Sequence, residues 1–151
     1  MSEPGYAPPE SVRSVAVVGT GVIGAGWAAH FLRMGFDVAA WDPADGAAER
    51  LMASVRHAWP VLDKLGLRPG ASLSRLRFAG SLAEAVDGAA FVQESAPEVL
   101  DLKIKLLAEL DAAAPHSVVI GSSTSGFLMS DMAVAASTPG RLIVAHPFNP
   151  P

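Results

Sequence analysis

The sequence contains no cysteine, which excludes disulfides, thiolate nucleophiles and cysteine metal sites. It has no apolar run long enough to span a bilayer. Charge is sparse: Asp, Glu, Lys and Arg make up 17% of the residues, and 15 acidic against 11 basic side chains leave a net charge of −4. That balance argues against a broad nucleic-acid surface. Aromatic residues are few. Trp41, Trp59, Phe91, Phe127 and Phe148 show no period on which bases would stack, so most are expected in the core, with Phe127 and Phe148 as candidates to line a pocket. The first ten residues are acidic and Pro-rich and lack the basic segment of a signal peptide. A cytoplasmic location without membrane attachment is therefore the expectation.

What is present is half apolar, in 151 residues. That is too apolar for disorder and matches one compact domain. Residues 1–11 read as a flexible leader and 12–151 as the domain. Along it, short β-branched runs alternate with helical periods. Strands are expected at Ser14–Val18, Asp37–Trp41, Leu76–Phe78, Ala89–Gln93, Ser117–Ile120 and Leu142–Ala145. Helices are expected from Val22 to about Met34, at Ala44–Leu65 (where Pro60 kinks or splits the helix), from Ser81 through a capping box with Glu84, at Val99–Ala113 and at Leu128–Ala136. Alternating strands and helices, with little polar alternation in the strands, predict an α/β fold: a doubly wound, mostly parallel sheet of order 3-2-1-4-5-6.

Between the first strand and the first helix stand Gly19, Gly21 and Gly24, spaced G-x-G-x-x-G. In a dinucleotide site the first glycine makes the tight turn, the second admits a pyrophosphate to the backbone, and the third allows close helix packing. The N–H groups of the helix start, around Val22 and Ile23, then face the phosphates. Asp42 follows 18 residues after Gly24 at the end of the second strand, where a carboxylate accepts from both ribose hydroxyls and repels a 2′-phosphate. This favours NAD over NADP, while the glycine fingerprint alone also serves FAD.

Ser125 and His146 both follow expected strands, on the sheet edge where this fold holds ligands. Imidazole titrates near neutrality and suits a general base for an alcohol proton. Ser125 can hydrogen-bond the same oxygen, and Asn149 can orient substrate or base. A polar turn and a surface histidine are the plainer readings of these positions. Glu98 begins a helix, where the dipole favours a carboxylate. Asp101 and Lys105 form an i,i+4 pair. His30, His57 and His116 are read as structural, and no metal-ligand spacing occurs.

The strings GTGVIG, VQESAPE, SSTS and HPFNP, with the acidic end of the second strand, resemble the NAD-binding domain of the L-3-hydroxyacyl-CoA dehydrogenase family. The resemblance runs from about Val12 to the last residue. It implies an NAD-dependent oxidoreductase in which Gly19, Gly21, Val22, Ile23, Gly24 and Asp42 hold the cofactor. It places Glu98 and Lys103 close to the cofactor or its substrate side. Ser125 then contacts the substrate hydroxyl and, with it, the cofactor; His146 is the base, and Asn149 lies in the adjoining loop. The 21-residue interval from Ser125 to His146 agrees with the family. The chain departs from acyl-CoA members, which read SNTS and HFFNP. AWDPADGA, AWPVLDKLGLRPG and FVQESAPE look closest to carnitine-oxidising members, implying oxidation of the 3-hydroxyl of L-carnitine to 3-dehydrocarnitine. 3-Hydroxyacyl-CoA and gulonate are the alternative small 3-hydroxy substrates. The resemblance also implies a homodimer in the full-length enzyme, a C-terminal helical domain and a glutamate that orients the histidine. The last two are expected to lie beyond residue 151, so this chain alone is expected to bind NAD without turnover.

Overall fold

The computed structural model describes residues 5–6 and 8–148. Its elements in chain order are β1 (Ser14–Val18), α1 (Val22–Arg33), β2 (Asp37–Trp41), α2 (Ala47–Lys64), β3 (Leu76–Phe78), α3 (Leu82–Val86), β4 (Phe91–Glu94), α4 (Leu100–Ala113), β5 (Val119–Ser122), α5 (Met129–Met132) and β6 (Leu142–Val144). The six strands form one parallel sheet in the order β3-β2-β1-β4-β5-β6, as the alternation of strands and helices predicts. The order reverses between β1 and β4, so the loops leaving these two strands diverge and open a crevice at the C-terminal edge.

Strand geometry explains how both faces are filled. Successive side chains of β1 point to opposite faces. Val15 and Val17 join Val38, Ala40 and the buried side of α1 and α2, whereas Ala16 and Val18 join Val92, Ile120 and the helices α3, α4 and α5. Helix α1 approaches closely because it turns small residues, Gly24, Ala25, Ala28 and Ala29, inward. Its larger side chains form an aromatic cluster at one side: Trp27 stacks on Phe31 at 5.3 Å, and Phe31 meets Phe36 and Phe91 edge-on.

Several boundaries differ from expectation, each for a physical reason. β4 and β5 lie about two residues further along than their apolar runs suggest, because Glu94 pairs with Ser122 across the sheet and extends the ladder into polar residues. Helix α2 runs unbroken through Pro60. Arg56, whose carbonyl loses its helical partner there, lies on the exposed face where water can serve it. Helix α2 also starts three residues late, since the Asp42 carboxylate holds the Ala44 N–H at 2.9 Å in a turn. Helix α5 shrinks to four residues, and the N–H groups of Ser137 and Thr138 turn instead to the Asp111 carboxylate. At α3 the Ser81 hydroxyl accepts from Glu84 N–H, but Glu84 returns its carboxylate to Gly80 N–H rather than to Ser81. Lys105 pairs with Glu109 at 4.0 Å instead of Asp101. Phe127 packs against the core, and Phe148 is almost fully exposed.

The approach to β6 is fixed by a buried ion pair. Arg141 is 1% exposed and donates from Nε to Asp111 at 2.8 Å, while its other nitrogens reach the carbonyls of Asp111, Ala114, Pro115 and Val118. A buried guanidinium is tolerated only when its donors are satisfied in this way. The clamp ties the end of α4 to the residues that enter β6, five positions before His146. Burial raises the Asp111 pKa, but the bond from Arg141, the Thr138 and Ser137 amides and the Arg141 charge outweigh it, and the net shift is downward.

Replacing Arg141 with Ala leaves the Asp111 charge buried and is expected to cost about 3–5 kcal/mol in denaturant unfolding. Because the Asp111 pKa is lowered in the folded state, its stabilisation is complete above the ordinary Asp range and lost as pH falls through the folded value. Unfolding followed against pH should show this acid-sensitive component, and Asp111→Asn should lack it.

Candidate functional site

The glycine loop is shaped by contacts that exclude side chains. Gly19 has φ +86°, and a Cβ there would stand 2.6 Å from the Ala96 nitrogen, so this turn passes directly against the loop leaving β4. A Cβ on Gly24 would stand 1.8 Å from the Gly19 carbonyl oxygen, so its close contact is with the turn itself. Gly21 is the opposite case: a Cβ would meet nothing within 4 Å, and this residue borders open space. The first helical bond runs from Ala25 N–H to Gly21 C=O, so the N–H groups of Val22, Ile23 and Gly24 precede the ladder. Helix α1 therefore presents an anion-binding end to the crevice.

Asp42 follows β2 directly. One of its oxygens accepts from Thr20 N–H at 2.8 Å and Thr20 Oγ1 at 3.2 Å, and the other accepts from Ala44 N–H. Each carboxylate oxygen keeps further lone-pair capacity for hydroxyl donors. A groove of about 670 Å³ runs from Trp41, Asp42 and Pro43 past Gly19, Gly21, Val22 and Ile23 to Ser95 and Ala96. A second pocket of about 380 Å³ shares Ile23, Ser95 and Ala96 with it, and is lined further by Glu98, Lys103, Ser123, Ser125 and His146. Ser125 and His146 thus come together in one cavity that continues the groove of the glycine loop. Asn149, the remaining candidate, lies outside the described residues.

Between groove and pocket lies a buried ionic cluster. Glu94 is fully buried; it accepts from Lys103 Nζ at 2.8 Å, from Ala96 N–H at 2.6 Å and from the Ser122 hydroxyl. The ammonium of Lys103 also donates to the Ala96 carbonyl at 3.1 Å and lies 3.7 Å from Glu98. Lys103 is itself buried, so it acts on the pocket wall by holding the β4 loop and drawing in Glu98. Glu98 does not cap its own helix. α4 starts at Leu100, and the Glu98 carboxylate crosses to the loop after β5. There it takes the Thr124 hydroxyl and the N–H groups of Ser125 (3.3 Å) and Gly126 (3.2 Å). Partial burial raises its pKa, but the Thr124 bond, the Gly126 amide, the Lys103 charge and the Ser125 amide together lower it. The Ser125 loop is thereby fixed through its backbone, and its side chain is left to the pocket.

Sequence reasoning passed over Trp27, Gln93, Ser95, Ser123 and Thr124. The signal was present for two: Gln93 is polar at the end of an apolar strand, and Trp27 is bulky within a run of small helical residues. Thr124 is recognised only once Glu98 is seen to cross the crevice.

The family model "3-hydroxyacyl-CoA dehydrogenase, NAD binding domain" matches residues 14–151. The chain belongs to this family. An L-carnitine dehydrogenase of Nocardiopsis dassonvillei is 62% identical over all of this chain and 46% of its own length. One from Streptomyces griseus is 64% identical over 95% of this chain and 43% of its own. The crystal structure of 3-hydroxybutyryl-CoA dehydrogenase from Escherichia coli superposes with a TM-score of 0.83 at 28% identity, covering 93% of this chain and 30% of that one. The chain spans under half the length of these relatives. Its cofactor is accordingly NAD, and the open face of Gly21, the free amides of the α1 start and the spare lone pairs of Asp42 fit a dinucleotide laid along the groove. Among the described residues no helix is long and apolar enough to cross a membrane.

The Glu98 clamp is open to a direct check. Glu98→Ala should speed hydrogen exchange at the Ser125 and Gly126 amides by about tenfold, the scale of a lost charge-assisted bond. In the parent, their protection should persist below the ordinary Glu range and fail as pH drops through the lowered Glu98 pKa. Unchanged exchange in the variant would contradict the clamp.

Proposed function

We propose that this chain is the NAD-binding domain of a dehydrogenase that oxidises the 3-hydroxyl of L-carnitine to 3-dehydrocarnitine. The observation that carries the reading is the continuity of the two cavities: the groove of the glycine loop and Asp42 leads into the pocket of Ser125 and His146. Choice of carnitine over a 3-hydroxyacyl-CoA or gulonate rests on the relatives named L-carnitine dehydrogenase, which are more than 60% identical to this chain. On the same resemblance the reading includes a cytoplasmic homodimer.

In this reading Asp42 accepts from the hydroxyls of the adenosine ribose and repels a 2′-phosphate. The amides of Val22, Ile23 and Gly24 receive the pyrophosphate at the positive end of α1. When bound, the nicotinamide supplies the two-electron acceptor that the protein lacks. His146 takes the proton of the substrate hydroxyl as general base. The Ser125 hydroxyl donates to the same oxygen and stabilises the charge that grows on it. Glu98 holds the loop that carries Ser125, and Lys103 holds the β4 loop beside it. Asn149 adjoins the base and is proposed to orient it or the substrate. By itself the 151-residue chain is proposed to bind NAD without turnover, because the relatives that carry the activity name are more than twice its length.

NADH formation by the full-length protein with L-carnitine, 3-hydroxybutyryl-CoA and gulonate tests the substrate; carnitine should give the highest kcat/KM. His146→Gln should lower kcat by about 10²–10⁴, the usual contribution of general acid–base catalysis, with little change in NADH affinity. Retained turnover would remove His146 from the mechanism. Asp42→Ala should weaken NADH binding by about tenfold or more and narrow the preference over NADPH, measured by calorimetry.

A further inference from the structure

At the junction of the groove and the pocket, three side chains meet on the hydroxyl of a fourth, Ser123; together they come from two strand ends, those of β4 and β5, and from helix α1. Ser123 Oγ lies 3.1 Å from Trp27 Nε1, 2.7 Å from Gln93 Nε2 and 2.8 Å from Ser95 Oγ. Two of these contacts have a settled direction. An indole N–H only donates. The Gln93 amide nitrogen also lies 3.2 Å from the Ala145 carbonyl, which only accepts, so that end of the amide is the donor. Its oxygen faces the other way and is buried without a partner among the described residues. This arrangement costs something on its own, and it is held because the nitrogen serves two acceptors at once.

Ser123 therefore accepts twice, which uses both lone pairs of its oxygen. Its one proton has a single remaining partner, Ser95 Oγ. Ser95 receives that proton, so its own must point elsewhere. Ser95 lines both cavities, and its Cβ stands 3.5 Å from where a Gly24 Cβ would be, against the glycine loop. Its backbone is tied to β1 through a 2.7 Å bond from Ser95 N–H to Val18 C=O, which fixes the main chain that carries the hydroxyl.

We infer that Ser95 is a cofactor-binding residue whose hydroxyl is turned outward by Ser123, Gln93 and Trp27 to donate to an acceptor oxygen in the middle of the dinucleotide. The inference rests on the NAD reading of the groove. The acceptor is an oxygen of the second phosphate or of the nicotinamide-side ribose, since Ser95 stands beyond the glycine loop from Asp42 and borders the pocket of Ser125 and His146. A donor held in place before the ligand arrives loses little freedom on binding, and this is where affinity is gained.

The test uses the full-length protein and equilibrium binding, read by NADH fluorescence and by calorimetry with AMP, ADP and ADP-ribose. Ser95→Ala should weaken NADH and ADP-ribose by about 3- to 10-fold, the range of one neutral hydrogen bond, and leave AMP unchanged. A matching loss for ADP assigns the bond to the second phosphate, and an unchanged ADP affinity assigns it to the ribose. Trp27 borders neither cavity. Trp27→Phe frees one lone pair of Ser123 and lets the Ser95–Ser123 bond reverse; it should weaken NADH in the same direction by about twofold, again sparing AMP. Unchanged NADH affinity in Ser95→Ala, or an equal loss for AMP, would overturn the assignment, and unchanged affinity in Trp27→Phe would overturn the directing network. Failure of the parent protein to bind NADH would instead overturn the NAD reading itself.

Discussion

The buried carboxylate of Glu94 is the constraint on which the functional edge of this domain depends. A charge in such a position costs several kcal/mol in lost hydration unless its lone pairs are filled. Here they are filled by groups from three separate elements: the Lys103 ammonium of α4, the Ser122 hydroxyl of β5 and the Ala96 amide of its own loop. Each bond that satisfies Glu94 also fixes a distance. Ser122 locks β5 to β4 one residue before the loop that carries Ser125. Lys103 sets the height of α4 against the sheet. Ala96 bends the β4 loop back, so that it passes under the glycine turn.

That last consequence joins the two halves of the site. The turn at Gly19 is crowded by the β4 loop, and the start of α1 is crowded by the Gly19 carbonyl. A side chain at either glycine would collide with backbone, which cannot move aside as a flexible side chain does. The phosphate-facing end of α1 is therefore positioned by the same loop that Glu94 holds. Lys103 carries the constraint further. It stands near both Glu94 and Glu98, and Glu98 reaches over to the Ser125 loop. A chain of charge-assisted contacts thus runs from the end of β4 to the glycine-loop side and to the Ser125 side of one crevice.

Much of the architecture was legible in the linear sequence. Apolar runs at regular intervals marked the six strands, and the glycine spacing with Asp42 marked the first crossover and its ligand edge. What periodicity could not show was where strands end once polar residues begin. Glu94 and Ser122 look like loop residues because an isolated polar side chain just past an apolar run usually is one. They belong to the sheet because they satisfy one another across it, a pairing between positions 28 residues apart that no local pattern encodes. Glu98 has two explanations for a related reason: the resemblance places it at the site, and its position before α4 offers a cap. A carboxylate just before a helix has a local explanation in the dipole, and the local explanation hides the long-range one. Ser125 and His146 could be singled out, but their shared pocket follows from Arg141 and Asp111, which set the approach to β6 from a distance.

The use of backbone clamps for the serine-rich loop has a chemical logic. A hydroxyl that stabilises charge on a substrate oxygen is effective when it is in place before the charge develops, since no energy is then spent in reorganisation. Serine is a poor candidate for that task on an exposed loop, where both its backbone and its rotor are free. In this domain the backbone freedom is removed at Ser125 by Glu98, which takes the Thr124 hydroxyl and two successive amides without touching the Ser125 hydroxyl. At Ser95 the β1 carbonyl removes the backbone freedom, and the saturated lone pairs of Ser123 remove the rotor's ambiguity. The two serines are prepared by different means, one clamped by a carboxylate and one directed by a hydrogen-bond hub, and they border the same pocket. A domain poor in charge thus uses the ions Glu94, Lys103 and Glu98 to hold neutral donors in position, and leaves those donors free to face a ligand.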